Sequence, residues 1–184
     1  MQGAENSTVG THPSGRAWGR PLIRLLPLVF GAGLLWAVGS GLWSAANGSG
    51  GAAPPTFAGY RLAQTTSGPD AVAQMSKLHG KGVGLVDGYV AHYDGASGGA
   101  VVYVGATASE KDALQLLEQM ERRIGAGNQY FADLKPVTVE GVRVLSVRNG
   151  QESHYFWQTG SKVIWIGFDR VDPASLSAAL KAFR

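Results

Sequence analysis

The sequence predicts an α+β domain, a mainly antiparallel sheet with helices packed on one face, preceded by one transmembrane helix. Three observations carry this reading. From Phe57 onward, strand-like and helix-like runs follow the order β-α-β-β-α-β-β-β-β-α. The last strands are separated by the tight-turn pairs Glu140-Gly141, Asn149-Gly150 and Gly160-Ser161, which are hairpin signals. Leu25 to Trp43 runs for 19 residues without a charge.

Residues 1–20 are polar at their start and read as a disordered tail. Residues 21–43 read as a signal-anchor helix. At about 1.5 Å per residue the uncharged run covers roughly the 30 Å hydrocarbon core. Arg16, Arg20 and Arg24 precede it and nothing basic follows until Arg61, so the positive-inside rule puts the N-terminus in the cytoplasm and the C-terminal part outside. Pro27 lies near the first turn, where a missing N–H costs least. Ser44 and Ala46 also satisfy the small-x-small pattern of a signal-peptidase site. The run exceeds the usual signal-peptide core, which favours the uncleaved anchor. Gly33, Ala37 and Gly41 share one helix face, where small residues let a second helix approach; self-association or another membrane protein is the expected partner there.

Residues 44–56, SAANGSGGAAPPT, have little to bury and read as a linker. The folded unit is then 57–184. Gly59 to Thr66 makes a first strand. Ser67 is expected to cap the next helix, with Pro69 in the first turn and Asp70 at the capping-box position. Val72, Met75 and Leu78 should form its inner face, and Gly80 its stop. GLVDGYVAHYDG and AVVYVGATA flank Gly95-Ala96-Ser97-Gly98-Gly99 as a hairpin. Ser109 and Asp112 form a second capping box for a helix over Glu110 to Ile124, with Ala113, Leu114, Leu117, Met120 and Ile124 inward and Gly125 ending it. A four-stranded meander follows. Asp172-Pro173 opens a last helix with Leu176, Ala179, Leu180 and Phe183 inward. The opening β-α-β-β-α-β matches the ferredoxin-like order; it either closes that way or extends into one longer sheet.

Composition excludes several classes of function. Cysteine is absent, so disulfides, thiolate nucleophiles and cysteine-ligated metals are impossible. The net charge is +3, of which Arg16, Arg20 and Arg24 against Glu5 account for +2. The folded part is therefore close to neutral, with no basic stripe for nucleic acid. Gly80-x-Gly82-x-Gly84 follows a helix and leads into a strand, the reverse of a phosphate loop, so no nucleotide or other cofactor is implied. No serine sits in Gly-x-Ser-x-Gly. Glu118 and Glu121 beside Arg122 and Arg123 read as a solvated helix face.

Two candidate sites remain. His92 and Asp94 are two apart on one strand and share a face. With His154 from a neighbouring strand they would supply the three ligands a catalytic zinc needs. His79 closes a helix, where the dipole favours a cation. The second site is a sheet face carrying Tyr155, Trp157 and Trp165. Both faces of those strands carry large apolar groups, so either both are covered or one is an aromatic binding surface.

LHGKGVGLVDGYVAHYDG, RRIGAGNQYF and HYFWQTGSKVIWIGFD resemble uncharacterised membrane-anchored or exported prokaryotic proteins over most of Gly59 to Asp169. The resemblance implies an envelope location and brings no activity or site residue with it. The expected function is a membrane-anchored extracytoplasmic binding or interaction module, an accessory subunit of an envelope complex. The alternative is a metal-dependent envelope hydrolase using His92, Asp94 and His154.

Overall fold

The computed structural model describes residues 50–79, 82–96, 98–127, 129–171 and 173–184. The expected membrane helix, with Gly33, Ala37 and Gly41, lies outside the described residues, as do the leader and Gly80. Among the described residues no helix is long and apolar enough to cross a membrane.

The chain forms β1 (Thr56–Phe57), β2 (Tyr60–Ser67), α1 (Pro69–Leu78), β3 (Leu85–Gly95), β4 (Gly98–Thr107), α2 (Glu110–Gly125), β5 (Ala132–Val139), β6 (Val142–Asn149), β7 (Glu152–Thr159), β8 (Lys162–Phe168) and α3 (Pro173–Ala182). The eight strands build one sheet in the order β1-β2-β3-β4-β8-β7-β6-β5, antiparallel throughout. It consists of two meanders that meet through β4 and β8, paired from Ala100 with Phe168 to Ala106 with Lys162.

This order replaces the ferredoxin-like start with one long sheet. The connection from β2 to β3 is long enough for a helical crossover to a parallel strand. Instead the Gly68 N–H donates to the Gly88 carbonyl at 2.8 Å, which pins the end of β2 to β3 and returns the chain antiparallel. Gly68 also caps α1. Its φ of 66° makes the turn, and the Val72 N–H donates to its carbonyl at 3.0 Å. Ser67, expected as the cap, remains in β2 opposite Tyr89. The inner face of α1 is rotated accordingly: Ala71 and Met75 are buried, while Leu78 is 48% exposed.

The cap of α2 is the expected one. Ser109 accepts from the Asp112 N–H at 3.1 Å, and its hydroxyl donates to the Asp112 carboxylate at 2.6 Å. Ala113, Leu117 and Met120 are buried; Leu114 is exposed instead of inward. In the meander, Glu140 and Gly141 both have positive φ, as a tight two-residue hairpin turn requires. Asn149 stays in β6, and the next turn is Gly150-Gln151, one residue later than expected.

The helices do not share one face. Strand register puts Tyr89, Val104, Ile164, Trp157 and Val144 on one side of the sheet. These pack with Ala179, Leu180 and Phe183 of the α3 segment. The other side carries Phe156, Leu145, Val147 and Val163 against α2, and Val90 against α1. The reason is the apolar load on both faces. Burying each Leu or Phe stabilises by about 1.5–3 kcal/mol, so each face takes a helical cover.

The expected linker is in part tied down. The Gly50 N–H donates to the Asp87 carboxylate at 2.9 Å, Tyr93 OH donates to the Pro54 carbonyl at 2.9 Å, and the Leu62 N–H donates to the Pro55 carbonyl at 2.9 Å. Phe57 in β1 is buried, with its ring 4.8 Å from Tyr93 and 5.1 Å from Phe183.

Candidate functional site

The densest side-chain chemistry among the described residues lies where β7 and β8 pair beside α2. The two-residue turn Gly160-Ser161 sets Thr159 opposite Lys162, so His154 falls opposite Gly167 and Phe156 opposite Trp165. All four face the α2 side. The His154 ring lies against bare backbone: a Cβ on Gly167 would come within 2.7 Å of Nδ1. From there the Trp165 Nε1–H donates to His154 Nδ1 at 3.1 Å. His154 Nε2 lies 3.1 Å from Glu152 Oε2. Because Nδ1 accepts, Nε2 carries the proton and donates to the carboxylate.

Aromatic rings enclose this pair. Trp165 stacks on Phe156 with centroids 4.6 Å apart and planes at 17°. Phe131, just before β5, packs edge-on to His154 at 5.2 Å and tilts against Trp165 at 5.1 Å. Burial pushes the His154 imidazole below its ordinary range, and the Glu152 carboxylate opposes that shift. Tyr103, opposite Trp165 on β4, is pushed up to about 12 by burial and by Glu152. With both nitrogens engaged, His154 is held as a neutral ring, and the arrangement positions Trp165 and Phe131.

His92, Asp94 and His154 do not converge. His92 pairs with Val101, Val101 with Gly167, and Gly167 with His154, so the two histidines share one row of one face. They stand three strands apart, roughly 14 Å at about 4.8 Å per strand. A zinc ion binds each imidazole at about 2.0–2.1 Å, which that separation does not allow. Asp94 is exposed in the adjacent row. Among the described residues no three His, Cys, Asp or Glu side chains are grouped to hold a metal ion. The expectation of a shared site is corrected by the docking of the meanders, which inserts β4 and β8 between β3 and β7.

The aromatic residues Tyr155, Trp157 and Trp165 do not form one face either. Tyr155 pairs with Ile166 and Trp157 with Ile164, on the α3 side; Trp165 faces α2. Trp157 is 1% exposed and takes part in the main core. A shallow crevice of about 80 Å³ beside it is lined by Val142, Gln158, Thr159, Leu180 and Arg184. That is well below the roughly 300–1,000 Å³ of small-molecule pockets. His79 closes α1, and its Nδ1 lies 2.8 Å from the Met75 carbonyl, a capping contact.

Sequence reasoning missed Glu152, Gly167 and Phe131. Two signals pointed to the first two. Glu152 and His154 are two apart on a strand and share a face, and the Gly160-Ser161 turn already dictates which residues oppose them. Phe131 has no local signal, because its position depends on how the α2–β5 connection returns.

No family model matches the chain, and no curated protein matches it. Among solved structures the chain is similar to a GTP binding regulator from Thermotoga maritima, at 12% identity and a TM-score of 0.40 over 61% of this chain and 68% of that one. It is also similar to the extracellular domain of PknH from Mycobacterium tuberculosis, at 11% identity and a TM-score of 0.39 over 66% of this chain and 76% of that one.

Proposed function

We propose that the chain is a single-span membrane protein that displays its α+β domain outside the cytoplasm as an interaction module, an accessory subunit of an envelope complex. The observation that carries this reading is the uncharged run Leu25 to Trp43, with Arg16, Arg20 and Arg24 on one side and no basic residue on the other until Arg61. The small residues Gly33, Ala37 and Gly41 support a helix partner within the bilayer. On the domain, the half-buried Val101, Tyr103 and Trp165 give the α2-side sheet face a partly exposed strip that a protein partner would contact.

A reporter that is active only outside the cytoplasm, fused after Arg184, is expected to be active. Activity of a cytoplasm-only reporter at the same position would refute the topology. Cross-linking in intact membranes should yield one discrete adduct that weakens when Gly33 and Gly41 are both replaced by Leu. Monomer alone under all conditions would refute the interaction module.

A further inference from the structure

We propose that His154, Trp165 and Glu152 form an acid-released latch that holds the Trp165 indole on the sheet, stacked on Phe156 and packed against Phe131. In the neutral state Trp165 Nε1–H donates to Nδ1, and Nε2–H donates to Glu152. A proton taken from solvent can add only at Nδ1. Two N–H groups then face each other at 3.1 Å, where one was donor and the other acceptor.

The ring cannot relieve this by sinking toward the sheet, because the Gly167 backbone lies directly beneath it. Nor does it gain by leaving Glu152, since protonation turns that hydrogen bond into an ion pair. Trp165 is the group with freedom to move: it is half-buried, whereas His154 and Phe156 are buried. When the indole slides off Phe156, it also leaves its contact with Phe131.

Among the described residues the groups facing the ring are few. β7 supplies Glu152, the charged group that acts on it. β8 supplies Trp165 and Gly167, β6 Val147, and the segment before β5 Phe131, none of which titrates near neutral pH. From β4, Tyr103 stays protonated across the whole range, since burial and the same carboxylate push it up to about 12. Burial holds the imidazole below its ordinary range, so release occurs on the acid side of about 6.5.

The test uses the full-length chain in detergent micelles, labelled with nitrogen-15 in tryptophan and histidine. His154→Gln and Trp165→Phe assign the signals. As pH falls from about 8 to about 4, bracketing imidazole titration, the Trp165 indole signal should follow the same one-proton curve as the His154 ring. The midpoint should lie below that of a free imidazole. Trp165→Phe removes the opposing donor and should tighten proton binding to His154 by about 2- to 10-fold, the worth of one hydrogen bond. Glu152→Gln should shift the midpoint the other way. An indole signal that stays fixed while His154 titrates overturns the latch. So does a midpoint indifferent to Trp165→Phe, or a His154 ring that remains neutral until the chain unfolds.

Discussion

Gly88 marks where α1 touches the sheet. A Cβ at that position would collide with the Val104 carbonyl oxygen and come within 2.8 Å of the Met75 Cε. Its partner across the ladder, Gly105, is bare for the same reason, with Leu85 Cδ2 in the space a Cβ would need. The two glycines form a trough into which Met75 and Leu85 fit. Gly88→Ala should therefore cost about 1–3 kcal/mol, the usual penalty for overpacking, read as a lower denaturation midpoint with an unchanged slope. A stability within about 0.5 kcal/mol of the parent would mean that α1 lifts freely and the trough is incidental. A glycine inside a strand signals close approach by something. That the something is a methionine from the preceding helix is visible only in three dimensions.

The two helices that share a sheet face start differently, and the difference is measurable. α2 begins at Ser109, whose side chain accepts from the Asp112 N–H. α1 begins at Gly68 with no side-chain cap. Ser109→Ala should lose about 1 kcal/mol, whereas Ser67→Ala should stay within about 0.5 kcal/mol because Ser67 is exposed and caps nothing. Equal losses in urea unfolding would contradict this assignment of caps. The sequence SGPD held the answer. Proline favours the first helical position, and α1 does begin at Pro69, which leaves the glycine before it as the cap. The registers of the hairpins at Glu140-Gly141 and Gly160-Ser161 were equally legible, since a two-residue turn sets the pairs next to it, whereas the turn expected at Asn149-Gly150 falls one residue later. The placement of His154 over Gly167 was implicit in Gly160-Ser161.

Across the whole molecule, the sheet is covered by α1 and α2 on one side and α3 on the other. α3 closes the side that holds Trp157, Ile164 and Ile166, and its Leu180 is fully buried there. Leu180→Ala should cost about 2–5 kcal/mol, while Leu114→Ala on the exposed side of α2 should cost little. If thermal unfolding showed equal losses, α3 would not be part of the cooperative core. The inner face of α3 was readable in advance: Leu176, Ala179, Leu180 and Phe183 follow helical spacing, and all four are buried. The side of the sheet it would choose was not, because both faces are apolar enough to accept it.

The amino-acid sequence was sufficient for the order of strands and helices from β2 onward, the Glu140-Gly141 and Gly160-Ser161 hairpin turns, the α2 cap and the inner face of α3. Each depends on contacts a few residues apart: side-chain period, turn geometry or a capping hydroxyl. Only the tertiary structure decided that β4 docks on β8, that α3 lies opposite α1 and α2, and that His92 and His154 stand in one row three strands apart. These depend on pairing between residues 56 to 68 positions apart, from Ala106 with Lys162 to Ala100 with Phe168. Several topologies would bury the same apolar faces. The choice among them rests on the summed fit of two whole meanders, which no short stretch of chain encodes.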